Sequence, residues 1–123
     1  MLFMTMRLAA LLLAGSGFAC AGNWTGILVD ARCFASEENN VTKDYGPAER
    51  DMRLSIDACA PSGRTKTFAV VLSDSSALRF DAAGNTKAAE LVKNSGGKRR
   101  RVRVAVAGDA DRDTIRVSSI VTN

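Results

Sequence analysis

The order of short apolar runs along the chain constrains its fold more than any other feature. Runs that are rich in β-branched and aromatic side chains and bounded by turn residues predict five strands, and one amphipathic segment predicts a helix. The strands are expected near 24–30, 67–72, 77–80, 102–106 and 115–121, and the helix near 86–93. Three strands, a helix and two strands follow the order of an OB-fold. The predicted fold class is therefore mainly β with one helix, a small five-stranded OB-fold-like barrel, and an α+β sandwich is the alternative.

The alternation of side chains within these runs predicts which residues fill the barrel. Every second side chain of a strand faces the same side. The second strand is apolar on both faces, which is typical of a central strand, whereas the last two strands alternate apolar with polar residues. The residues expected to point inward are Ile27, Val29, Val70, Leu72, Val104, Val106, Ile115 and Val117, with Leu91 of the helix.

Residues 1–21 have the pattern of a signal peptide. Arg7 supplies a positive start, residues 8–13 form an unbroken apolar run, and Ala19 and Ala21 are the small residues that a signal peptidase reads. The run is far shorter than the roughly 20 residues of a transmembrane helix. We therefore expect an exported protein, periplasmic or secreted.

Removal of the signal peptide would leave one OB-like domain over 22–123 with two cysteines, Cys33 and Cys59. Two cysteines in a small exported domain usually form a disulfide, because the compartment is oxidising. That bridge would close a polar insert at about 33–59, which has no strand pattern. Cys20 leaves an alternative open, since a lipoprotein signal also ends at a cysteine and would anchor the chain in a membrane.

Several short motifs recur in one known group of proteins. They are WTG at 24–26 followed by Asp30 and Cys33, FAVVL at 68–72, FDAAGNTKA at 80–88, a basic valine-rich strand, and a Thr-Ile-x-Val strand near the end. With them the chain resembles a family of small secreted bacterial domains of unknown function with an OB-fold-like pattern. The resemblance covers most of 24–120 and implies the fold and the export, but no activity. Many members have further cysteines and a histidine in the segment matching 34–56, and this chain has neither.

The chain lacks the side chains that most enzymes need. It has no histidine, which excludes serine–histidine and cysteine–histidine nucleophile systems. Asp109, Asp111 and Asp113 alternate as in a calcium loop, but Thr114 and Ile120 occupy the positions where such a loop has Gly and Glu. A solvated hairpin turn is the better interpretation. We expect a non-catalytic domain without a cofactor or metal.

A basic segment is the one feature that points to a partner. The chain has 17 basic and 13 acidic residues, and five of the basic ones lie within 98–103. Alternation places Arg101 and Arg103 on one outer face, because Val102 and Val104 are expected to point inward. Arg116 on the next strand is expected to extend this surface. The anion-binding candidates are Arg99, Arg101, Arg103 and Arg116.

The expected partner of that surface is an anionic glycan, a membrane surface or an acidic protein. A nucleic acid is not expected, because Trp24, Phe68 and Phe80 are placed as core residues and not as stacking platforms. A monomer is expected. The alternative is a purely structural domain with no ligand, in which the arginines only discourage pairing between strand edges.

Overall fold

A computed structural model of the chain describes residues 20–44, 48–97 and 100–123. The described residues form five strands and three helices. In chain order these are β1 (Cys20–Asp30), α1 (Ala31–Asp44), α2 (Ala48–Ala58), β2 (Phe68–Val71), β3 (Ala77–Phe80), α3 (Ala82–Asn94), β4 (Val102–Asp111) and β5 (Thr114–Thr122).

The five strands close into a barrel in the order β1-β2-β3-β5-β4, with β1 also paired to β4. All neighbouring strands are antiparallel except β3 and β5. The predicted small, mainly β, five-stranded OB-fold-like barrel is confirmed, and α3 lies between β3 and β4 as expected. The helices α1 and α2, which precede β2, are additional to the one helix predicted with the barrel.

The first strand closes the barrel because it pairs with two neighbours. Its residues 20–28 pair with β4, and its residues 27–30 pair with β2. Gly26 lies just before the point where β1 joins β2. A Cβ at this position would collide with the carbonyl oxygen of Val71. Only glycine allows β1 and β2 to approach so closely there.

The barrel interior is a single apolar cluster that also holds one face of α3. Its strand members are Leu28, Phe68, Val70, Leu78, Phe80, Val102, Val104, Val106, Ile115 and Val117, and its helix members are Ala88 and Val92. The inward positions predicted for Val70, Val104, Val106, Ile115 and Val117 are confirmed. Leu72 and Leu91 are partly buried against the same cluster.

A second cluster lies outside the barrel and corrects the prediction for Ile27 and Val29. These two residues point away from the barrel interior and pack with Ala69 and Val71 of β2 under the two helices. Leu28 fills the inward position of β1 instead. Because β1 is apolar on both faces, its sequence does not distinguish the two orientations, and the cover supplied by α1 and α2 decides between them.

The insert at 33–59 is mostly helical and is fastened to the barrel. Phe34 of α1 and Ile56 of α2 are 2% and 8% exposed and form its contact with the second cluster. The predicted disulfide between Cys33 and Cys59 is confirmed, with the two Cα atoms 5.5 Å apart. It joins the first turn of α1 to the residue that follows α2.

The predicted signal peptide lies almost entirely outside the described residues. Of its positions, Cys20 and Ala21 are described, and they pair with Ala110 and Asp109 of β4. Within the described part of the chain, no helix has the length and apolar character needed to cross a membrane.

Candidate functional site

Arg101 and Arg103 lie on the outer side of the barrel, as the alternation predicts. Val102 and Val104 are 9% and 0% exposed and belong to the interior, whereas both arginines are exposed. Two residues along a strand span about 7 Å, so the backbone holds the two cations close together on one face.

Arg101 forms an ion pair with the C-terminal half of α2. Its Nη2 and Nε atoms donate hydrogen bonds to Oδ1 of Asp57 at 2.8 and 3.1 Å. The two side chains are 45% and 59% exposed, so water screens the pair, and its contribution to stability is about 0–1 kcal/mol. For binding the consequence is larger, because the Asp57 carboxylate offsets the charge of Arg101. Sequence analysis missed Asp57, since no local pattern brings α2 beside β4.

Arg103 has no such partner. Among the described residues its guanidinium makes no hydrogen bond or ion pair, while its backbone carbonyl accepts from the amide of Asn123 at 2.9 Å. The side chain lies at the edge of a groove of about 280 Å³ between α2, β1 and the β2–β3 turn. Met52 and Ile56 give this groove an apolar wall.

Hydroxyl groups complete the groove beside Arg103. They belong to Thr25 of β1 and to Ser73 and Ser75 of the β2–β3 turn. The turn is fixed from within, because the hydroxyl and the amide of Ser76 donate to Oδ1 of Asp74 at 2.6 and 3.0 Å. Both hydrogen bonds lower the pKa of the Asp74 carboxyl, and the one from the Ser76 hydroxyl has the larger effect. One cation, three hydroxyls and an apolar wall therefore lie together.

The structure does not bring Arg116 to this surface. Arg116 is exposed on β5 and pairs with Asp109 of β4. Because Asp109 lies six residues along β4 from Arg103, Arg116 is about 20 Å from Arg103. Its neighbours Asp109 and Asp111 on β4 make that end of the barrel mixed in charge. Arg99, the fourth candidate, lies outside the described residues.

The motif residues that are most recognisable in the sequence have structural roles. Oδ1 of Asp81 accepts hydrogen bonds from the amides of Gly84 and Val117 at 3.0 and 3.1 Å. Oδ1 of Asn85 accepts one from the amide of Phe68 at 2.9 Å. These acceptors join β3, α3, β2 and β5, so the motif near residue 81 specifies the fold.

The alternating aspartates lie at the β4–β5 hairpin. Asp111 is the last residue of β4, and Arg112 and Asp113 form the turn, with Arg112 in the left-handed region at a φ of 61°. The turn is thus shorter than the predicted 109–113. In the part of the chain that the structure describes, no group of three or more Asp, Glu, Cys or His residues is arranged to hold a metal ion.

Comparisons with known proteins give no relative that would identify this site. No protein-family model, no curated protein and no solved structure matches the chain significantly. Membership of the small secreted bacterial family therefore stays a prediction from the motifs, and the site is interpreted from its own geometry.

Proposed function

We propose that this chain is an exported, non-catalytic domain of the bacterial cell envelope that binds an anionic partner through the outer face of β4. The observation that supports the proposal best is the environment of Arg103. Its guanidinium is exposed, is unpaired among the described residues and borders a groove with hydroxyl groups. A guanidinium presents several donors in a fixed plane, a geometry that suits carboxylate and phosphate groups.

The charge around Arg103 favours a partner with repeated anionic groups. Asp57 offsets Arg101, whereas no ion pair offsets Arg103 among the described residues. One exposed cation binds a single anion only weakly, because salt screens it over about 8 Å at physiological ionic strength. An anionic glycan, a membrane surface or an acidic protein offers many anions and raises the overall affinity.

Export of the protein is the second part of the proposal. The pattern of residues 1–21 supports a signal peptide. The Cys33–Cys59 disulfide supports an oxidising compartment, because such bonds are rare where thiols are kept reduced. The lipoprotein alternative keeps the same compartment but would hold β1 at the membrane through Cys20.

A purely structural domain without a ligand is the second candidate. Two observations favour it. The motif residues are used within the fold, and the most strongly bonded arginine of the basic segment, Arg101, is paired with Asp57 inside the molecule. In that case the only role of Arg103 is to discourage association of β4 with strands of other molecules.

The proposal is tested by comparing Arg103→Ser with Arg116→Ser on immobilised heparin and on vesicles that contain phosphatidylglycerol. Both arginines are exposed strand residues, so each substitution removes the same charge and is expected to change stability by less than about 0.5 kcal/mol. The Arg103 variant should elute from heparin at clearly lower salt than wild type, and the Arg116 variant should stay close to wild type.

Equal shifts for the two variants would mean that only the net charge matters. No shift for either variant would support the structural alternative. The two matrices separate the possible sources of the anion, because a glycan-specific face would bind heparin and leave the vesicles unbound.

A further inference from the structure

We propose that a second cavity, between α1, β3 and the start of β5, is a binding site for an acidic saccharide. The cavity has a volume of about 640 Å³ and lies where the first turn of α1 meets the beginning of β2. Volumes of about 300–1,000 Å³ are typical of small-molecule sites. It does not include Arg103, so the inference is independent of the function proposed above.

Two arginines from distant parts of the chain line this cavity. Arg32 lies in the first turn of α1, and Arg79 lies on β3 with Ala69 and Thr114 as its cross-strand neighbours. Both are exposed, and neither guanidinium makes a hydrogen bond or ion pair with the described residues. Two unpaired guanidinium groups around one cavity favour an oxyanion, which accepts charge-assisted hydrogen bonds from both.

The carboxylate of Asp30, just before α1, is engaged in hydrogen bonds, and Asp30 does not line the cavity. Oδ1 of Asp30 accepts from the amides of Arg32 and Cys33 at 3.1 and 3.0 Å, and its Oδ2 accepts from the hydroxyl of Thr65 at 3.1 Å. These bonds fix the start of α1 and hence the position from which the Arg32 side chain extends. None of the described lining residues is acidic.

The other lining groups fit a sugar. Thr67 and Thr114 provide hydroxyls; that of Thr114 donates to Oδ1 of Asp113 at 3.3 Å and therefore serves a sugar as an acceptor. Asn85 provides an amide whose orientation is fixed, since its Oδ1 accepts from the Phe68 amide at 2.9 Å and its Nδ2 is left as a donor. Ala31 and Ala35 add small apolar side chains that suit the C–H face of a pyranose ring. Hydroxyl partners, an apolar face and two cations together indicate a sugar that bears a carboxylate.

The place of the cavity in the barrel supports this assignment. OB-folds commonly bind oligosaccharides or oligonucleotides over strands two and three, beside the connections between strands one and two and between strands four and five. This cavity is bounded by α1 from the first of those connections, by Arg79 of β3, and by Thr114 directly after the second.

A titration of the disulfide-bonded, ¹⁵N-labelled protein with digalacturonate tests the inference. We expect saturable shifts of the Asn85 side-chain amide and of arginine Nε–H resonances. Cellobiose, which lacks the anion, and acetate, which lacks the sugar, should each bind at least about tenfold more weakly, because each loses one set of contacts.

Variants then locate the site. Arg32→Gln and Arg79→Gln should each raise the Kd for digalacturonate about tenfold or more, since each removes a charge-assisted contact. Arg79→Lys should restore only part of the affinity, because lysine lacks the planar pair of donors. Lys93→Gln serves as the control and should change the Kd by less than about twofold, since this exposed lysine lies outside both the cavity and the Arg103 face.

Three results would overturn the inference. The first is the absence of saturable shifts with digalacturonate. The second is an equal Kd for wild type and for both cavity variants, measured while their spectra show folded protein. The third is binding of acetate as tight as that of digalacturonate. Loss of heparin binding in Arg103→Ser would leave this site untouched, so the two proposals fail separately.

Discussion

Two aspartates show how single side chains join elements that are distant in the sequence. Asp30 ends β1, caps the first turn of α1 and accepts a hydrogen bond from Thr65 before β2. Asp81 directly follows β3, caps α3 and accepts a hydrogen bond from the amide of Val117 in β5. Each carboxylate satisfies backbone donors that the ends of helices and strands leave without a partner.

Replacement of Asp81 by Ala should destabilise the protein by about 2–4 kcal/mol. Loss of a helix cap costs about 1 kcal/mol, and an unsatisfied amide at the buried residue Val117 costs about 1–3 kcal/mol more. Urea unfolding of the oxidised protein measures the effect. Glu90→Ala removes an exposed carboxylate from the same helix and is the control. A cost for Asp81→Ala no larger than that of the control would contradict the role assigned to it.

At the scale of elements, the helical insert is what distinguishes this barrel. α1 and α2 cover the outer faces of β1 and β2, which would otherwise expose Ile27, Val29 and Val71. The disulfide ties the start of α1 to the end of α2, and the amide of Asp30 donates to the carbonyl of Cys59 at 2.9 Å. The insert is therefore part of the core and not a surface loop.

Removal of the disulfide should lower the free energy of unfolding by up to about 3.5 kcal/mol, the loop-closure entropy of the 26-residue separation. The double variant Cys33→Ala/Cys59→Ala and the reduced wild type should agree in urea unfolding. Hydrogen exchange should accelerate mainly in α1 and α2 and much less in β4 and β5. Unchanged stability on reduction, or uniform acceleration over the barrel, would contradict this view of the insert.

The sequence predicts the strands better than the insert for a physical reason. The alternation of Val102, Val104 and Val106 with polar residues specifies one buried face, and the structure confirms it. In contrast, where burial is described, α1 buries Ala31 and Phe34 and α2 buries Ser55 and Ile56. In addition, β1 is apolar on both faces. Which face of β1 points inward depends on contacts with α1 and α2, and these contacts are not local in the sequence.

At the scale of the whole molecule, the closed barrel separates its basic side chains into distinct surfaces. Arg103 borders the groove beside α2, whereas Arg32 and Arg79 line the cavity beside α1. The alternation along β4 predicts the face that Arg101 and Arg103 share. The ion pair with Asp57, the distance of Arg116 and the convergence of Arg32 with Arg79 follow from tertiary contacts, so no sequence pattern could predict them.

The most direct test of the proposed function is the salt concentration at which Asp57→Asn elutes from heparin. This substitution removes the ion-pair partner of Arg101, so that Arg101 should become a second unpaired guanidinium beside Arg103 on the same face. Asp109→Asn changes the net charge equally but acts near Arg116, at the far end of β4. We expect Asp57→Asn to elute at higher salt than wild type and Asp109→Asn to elute close to wild type. Equal elution of the two variants would contradict an anion-binding face at Arg103.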